Sequence, residues 1–166
     1  PGLSSYYDSS LASYYTYDVE KAKALLADAG YADGLEITIT VPSNYQYHMD
    51  TAQIIVEQLK KAGITAKIEP IEWSAWLSDV YRNRKYQATV VGLDSNLAPS
   101  DVLKRYQSEA KNNFPNYISE EYDEAFAKAL NATDVSEKIK WYKEAQALLT
   151  KDAASVYLQD PALLTA

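Results

Sequence analysis

The clearest pattern in the chain is Leu35-Glu36-Ile37-Thr38-Ile39-Thr40-Val41, where apolar and polar side chains alternate. Period two predicts a strand with one better-buried face. Pro42-Ser43-Asn44 stops it. From about Tyr47 to Ala62 the period becomes helical, with Met49, Ala52, Ile55, Val56, Leu59 and Ala62 forming one stripe and Gly63 closing it. Ile64 to Glu69 reads as a second strand. Strand, helix and strand joined tightly make a βαβ unit, so the two strands are expected to be parallel with a right-handed crossover. Pro70-Ile71-Glu72 leads into a third helix, about Ser74 to Asn83, with Trp73, Trp76, Leu77 and Val80 on its apolar face. Ala88-Thr89-Val90-Val91 is then a short buried strand that completes β-α-β-α-β. It breaks at Gly92 into the polar loop Asp94-Ser95-Asn96, closed by Pro99 and a helix start at Ser100-Asp101.

The flanks are helical. Asp18 is placed as an N-cap, with Glu20 in the first turn of a helix from Val19 to Ala29. Val19, Ala22, Leu25, Leu26 and Ala29 share a face, and Gly30 ends the helix. A short helix is expected near Asp101 to Gln107, then an irregular polar stretch from Ser108 to Pro115. Ser119-Glu120-Glu121 starts another helix with Tyr122, Ala125, Phe126 and Ala129 inward. Thr133 or Asp134 caps the last helix, whose stripe is Val135, Ile139, Tyr142, Ala145 or Gln146, and Leu149. Ala154 to Leu158 reads as a final short strand. Residues 1–17 show no period and are expected to lie irregularly across the domain, residues 18–160 to form one α/β lobe, and 161–166 to leave it. Both ends read as cut from something larger.

Composition narrows the function. With 166 residues and 47% hydrophobic side chains, a real core is affordable. A net charge of −7 argues against nucleic acid, which calls for a basic face. The absence of cysteine removes disulfides, thiolate metal sites and cysteine nucleophiles. Tyrosine outnumbers phenylalanine 15 to 2, which suits half-wet surfaces, because the ring packs while its tip stays polar.

Catalysis finds little support. His48 is the single histidine, with no second histidine for zinc and no Ser-His-Asp set; it reads as a polar helix-start residue. No glycine-rich phosphate loop follows a strand, and no cofactor is called for. Asp94 and Asp101 are the positional candidates for paired glycosidase carboxylates, but Asp101 is better explained by the first turn of a helix. Binding is favoured instead. Open α/β sheets hold ligands beyond the C-terminal ends of their strands. Three loops converge there: Asn44 and Tyr45 after the first strand, Trp73 after the second, and Leu93 and Asp94 after the third. A tryptophan ring at that edge can wall a pocket.

Tyr17-Asp18-Val19-Glu20-Lys21-Ala22-Lys23-Ala24-Leu25-Leu26-Ala27-Asp28-Ala29-Gly30-Tyr31 resembles a characteristic segment of bacterial extracellular solute-binding proteins of family 5, the oligopeptide, dipeptide and nickel class. Gly34 to Ile37, Gln58 to Ile64, Glu72-Trp73, Asn116-Tyr117, Glu121 to Asp123 and Tyr157 to Pro161 fit the same pattern; Val19 stands where the family usually has proline. The resemblance implies one α/β lobe of a type II periplasmic-binding-protein fold, non-enzymatic, closing with a second lobe on a peptide-like ligand for an ABC importer's membrane permease. An oligosaccharide or other small extracellular ligand is the alternative. It implies an extracytoplasmic location, periplasmic or lipid-anchored. Trp73 and Leu77 take the positions that line side-chain pockets. The family's ammonium-pairing aspartate falls on Asn96 counted from Gly92, on Ser95 counted back from Pro99, and on Asp94 if the loop is realigned.

Overall fold

The computed structural model describes residues 3–93 and 98–158. The chain divides into two compact units, one of residues 15–96 and one combining residues 1–14 with 97–166.

Residues 15–96 carry the sheet. Helix α1, Val19–Asp28, starts where the Asp18 carboxylate accepts the Lys21 N–H. Gly30, at φ 87°, takes the left-handed conformation that ends it. Its expected apolar face is only partly covered: Val19, Ala22 and Leu26 are half-buried, while Leu25 and Ala29 are exposed. Strand β1, Leu35–Pro42, is followed by α2, Gln46–Lys61, and β2, Ile64–Ile71. β1 and β2 pair in parallel from Leu35↔Ile64 to Pro42↔Ile71, as the βαβ pattern predicts. The third strand, β3, Ala88–Thr89, joins β1 on its other side, giving the order β2-β1-β3. Its ladder is shorter than the apolar run, although Val90 still enters the core. Beside it the Gln87 side-chain oxygen accepts the Thr38 N–H at 2.7 Å, so a side chain extends the pairing where backbone does not.

The period-two pattern sets the core. Ile37, Ile39 and Val41 face Ala52, Met49, Ile55, Val56 and Leu59 of α2. The helix expected at Ser74–Asn83 begins at Trp73 with one α turn, Trp73–Ala75, and widens to π geometry over Trp76–Arg82; together these form α3. The Asn83 N–H reaches back five residues to the Ser78 carbonyl at 3.0 Å. One extra residue per turn is invisible to apolar spacing over so short a segment.

The second unit is built on α4, Pro99–Leu103, a 3₁₀ turn at Lys104–Tyr106, α5, Glu120–Asn131, and α6, Val135–Lys151. Ser119 and Asp134 cap α5 and α6 through their side chains. Tyr122, Ala125, Phe126 and Ala129 are buried against Tyr142, Ala145 and Leu149. Val135, by contrast, is exposed. Buried tyrosines here have bonded tips: the Tyr122 hydroxyl donates to the Leu103 carbonyl at 2.6 Å and that of Tyr106 to Ser155 at 2.9 Å. Burial drives the Tyr122 phenol well above its ordinary range.

Two expectations are corrected. The N-terminal stretch contains 3₁₀ turns at Ser4–Tyr6 and Ser9–Ser13, the second capped by Asp8. The Tyr6 ring meets Tyr142 edge-on at 5.7 Å, and its carbonyl accepts from Gln146 at 2.7 Å. Ala154–Leu158 forms no strand and joins no sheet among the described residues. A β-prone run needs a neighbour to pair with, and Val156, Tyr157 and Leu158 remain exposed.

Candidate functional site

The C-terminal ends of the parallel strands bring the first two loops together. Tyr45 occupies the N-cap position of α2 in extended conformation without capping it through its side chain. Trp73 opens α3 directly after β2. Their rings meet edge-on, with centroids 5.5 Å apart. This is the favourable arrangement for two quadrupoles. Asn44 precedes Tyr45 and is exposed; Leu77, one turn beyond Trp73, is half-buried, as is Leu93 after β3. Asp94 and Asn96 lie outside the described residues.

Behind this edge the aromatic wall continues. Trp73 stacks on Trp76 at 5.0 Å with only 3° between planes. Trp76 is buried, and its indole N–H donates to Thr89 Oγ1 at 3.0 Å. The Thr89 hydroxyl donates in turn to the Thr40 carbonyl at 2.7 Å. Three elements, α3, β3 and β1, are thus tied through two bonds, which fixes the plane on which Trp73 rests.

Sequence reasoning placed Tyr45 and Trp73 at this edge and missed Tyr47 and His48. The Tyr47 ring lies 6.0 Å from Tyr45, and His48 lies 5.1 Å from Tyr45 and 4.1 Å from Tyr47. His48 is buried, and neither ring nitrogen has a hydrogen-bond partner among the described residues. Burial lowers its pKa from the ordinary 6.5, favouring the neutral ring. The expected polar helix-start residue is therefore part of the wall's backing. The available signal was three rings in four positions, Tyr45, Tyr47 and His48, just past a strand end. Among the described residues no group of three His, Cys, Asp or Glu side chains is arranged to hold a metal ion.

The parallel sheet with its flanking helix is that of an α/β module, and solved relatives place its fold among type II periplasmic binding proteins. A Helicobacter pylori periplasmic binding protein DppA, solved with the peptide STSA, superposes with a TM-score of 0.75 at 31% identity, covering 84% of this chain and 28% of that one. The Agrobacterium tumefaciens protein AgaA, solved with agropinic acid, gives a TM-score of 0.78 at 28% identity, covering 89% and 31%. The dipeptide-binding protein of Escherichia coli K12 is 26% identical over 153 residues, 87% of this chain and 28% of that protein. The family model for bacterial extracellular solute-binding proteins, family 5 (middle), matches residues 1–114, and the chain belongs to that family. Its members are binding proteins rather than enzymes. The chain spans about three-tenths of the length of these relatives. No helix among the described residues is long and apolar enough to cross a membrane.

Proposed function

We propose that this chain supplies one lobe of the substrate-binding component of an ABC importer, and that its aromatic strand-end edge binds a peptide-like ligand against a second lobe of the same protein. The single observation carrying the reading is the Tyr45–Trp73 contact, two rings from different loops meeting at the ligand edge of a parallel sheet. Trp73, Leu77, Tyr45, Asn44 and Leu93 form the described part of the proposed surface. The sequence adds Asp94 or Asn96 as the candidate for pairing a ligand ammonium or hydrogen-bonding a neutral group. Such an edge offers flat apolar area flanked by polar tips, which suits a peptide backbone with mixed side chains. Hinge closure of two lobes would exclude water and tighten those contacts. A membrane permease is the partner that would receive the ligand, and the place of action is outside the cytoplasm, in a periplasm or lipid-anchored at the cell surface.

The named ligands of the relatives include peptides, and none of the comparisons favours an oligosaccharide. The test is native mass spectrometry of the protein isolated from its own cells, followed by calorimetry with the ligand so identified. A bound peptide, lost on Trp73→Ala, is the expected result. A sugar adduct, or peptide affinity unchanged by Trp73→Ala, overturns the assignment.

A further inference from the structure

The face of the sheet turned away from α2 is polar, which is unusual for a parallel sheet, since both faces are ordinarily covered by apolar side chains. In register across β1 and β2 stand Thr38 beside Lys67 and Thr40 beside Glu69. The turn after α3 crowns this face with Arg84, Lys85, Tyr86 and Gln87, enclosing an open cleft of about 530 Å³. That turn is held firmly. The Arg84 N–H donates to the Val80 carbonyl at 3.1 Å and the Lys85 N–H to that of Asp79 at 2.8 Å. Arg84 itself is kept at φ 55°, a left-handed conformation that a non-glycine residue adopts at a cost.

The cleft is basic on balance. Lys67, Arg84 and Lys85 bring three cations to it, in a chain whose net charge is −7. Neither Lys67 nor Lys85 enters an ion pair among the described residues. Gln87 spends its oxygen on the Thr38 N–H, which leaves its amide NH₂ as a donor. The one carboxylate lining the cleft, Glu69, accepts from the Thr40 hydroxyl at 3.4 Å. Glu36 lies in the adjoining cleft, which shares Thr38, Lys67 and Gln87. A local excess of one sign of charge raises the concentration of the opposite ion.

We propose that this cleft is a second binding site, for a small multivalent oxyanion bearing phosphate or carboxylate groups, held by Lys67, Arg84, Lys85 and Gln87. The site is built from the mid-strand face and the α3–β3 turn, whereas the proposed peptide edge uses the strand ends. Occupation of one does not require the other. Charge-assisted bonds to lysine and arginine give such a site its strength and make it salt-sensitive.

The experiment titrates the chain with inorganic phosphate and with citrate by two-dimensional NMR at low salt. A parallel arm measures sedimentation with vesicles of phosphatidylglycerol and phosphatidylcholine. The expected result is saturable shifts confined to Thr38, Lys67, Arg84 to Gln87 and their neighbours, with Kd raised about tenfold or more in Lys67→Ala/Lys85→Ala. Trp73→Ala is expected to leave these shifts intact, which separates this site from the peptide edge. Both altered lysines are exposed, and unchanged spectra elsewhere report an intact fold. Absence of saturation up to about 20 mM anion, a millimolar scale beyond which binding is weaker than about 2–3 kcal/mol, overturns the proposal. So does binding unaffected by the double substitution. Association with anionic vesicles but not with phosphate or citrate also overturns it, assigning the face to a membrane surface instead.

Discussion

Gly92 lies so close to His48 that a methyl group on its Cα would stand 3.3 Å from the imidazole Nε2, with the Tyr47 hydroxyl 3.2 Å from the same point. The exit from β3 is therefore shaped by packing against the start of α2. A side chain at residue 92 has to push aside an exposed tyrosine tip, which can move, and a buried histidine, which has little room. Gly92→Ala is expected to destabilise the chain by about 1 kcal/mol, and Gly92→Val by about 1–3 kcal/mol, the range for overpacking. Urea denaturation measures both. A valine variant as stable as the parent would show that this approach is not tight in solution.

The same histidine predicts an acid-sensitive stability. Burial puts the folded-state pKa of His48 below its unfolded value, so folding favours the neutral ring. Its contribution is fully present above about pH 6.5, the unfolded value, and is lost as pH falls from there toward the folded pKa. Unfolding free energies measured between pH 8 and pH 5 are expected to fall in this window, and more steeply than in His48→Phe, which keeps a ring but cannot take the proton. Parallel pH profiles for the two proteins would contradict the burial argument.

What could be read from the sequence divides along physical lines. The β1–α2–β2 unit was legible because strict alternation in Leu35–Val41 and the 3.6-residue stripe of α2 each point to one geometry, and both reappear in the parallel register. The helix starts at Asp18 and Ser119 were legible because a short polar side chain before an apolar period has one common use, while for α6 the sequence left Thr133 or Asp134 and the structure selects Asp134. Trp73 and Tyr45 were placed at a shared edge by topology alone. The π widening of α3 was not legible, because it changes hydrogen bonding without changing which residues are apolar. Nor was the fate of Ala154–Leu158, since β propensity says nothing about whether a partner strand exists. His48 stands at the helix start as expected, but its burial was not legible, because one of its neighbours is Gly92, more than 40 residues away in the chain.

The Trp76–Thr89–Thr40 relay supports a third prediction. Thr89→Val keeps the shape of the side chain but removes the acceptor of the buried indole N–H and the donor to the Thr40 carbonyl. An unsatisfied buried donor costs about 1–3 kcal/mol. Loss of that size is expected in chemical denaturation of Thr89→Val. Trp76→Phe removes the stranded donor, so adding it to Thr89→Val is expected to cost less than the sum of the single changes. Strict additivity in that cycle would mean the two side chains do not communicate.

The stacked pair Trp73–Trp76 separates recognition from packing. Both rings lie in one plane-parallel contact, but Trp76 is buried and Trp73 only half so. Truncating Trp76 to alanine is expected to cost about 3–5 kcal/mol of stability, the range for emptying an aromatic core position. Trp73→Ala leaves the buried ring and its bond to Thr89 in place, so its stability loss is expected to be smaller. If the edge binds a ligand, Trp73 is the indole whose surroundings change on binding. Of the three tryptophans, Trp141 sits on α6 in the other compact unit, beneath the Lys128 ammonium at 4.6 Å. Ligand titration followed by tryptophan emission should therefore keep its response in Trp141→Phe and lose most of it in Trp73→Phe. A response that survives Trp73→Phe intact would move the recognition surface away from the Tyr45–Trp73 edge.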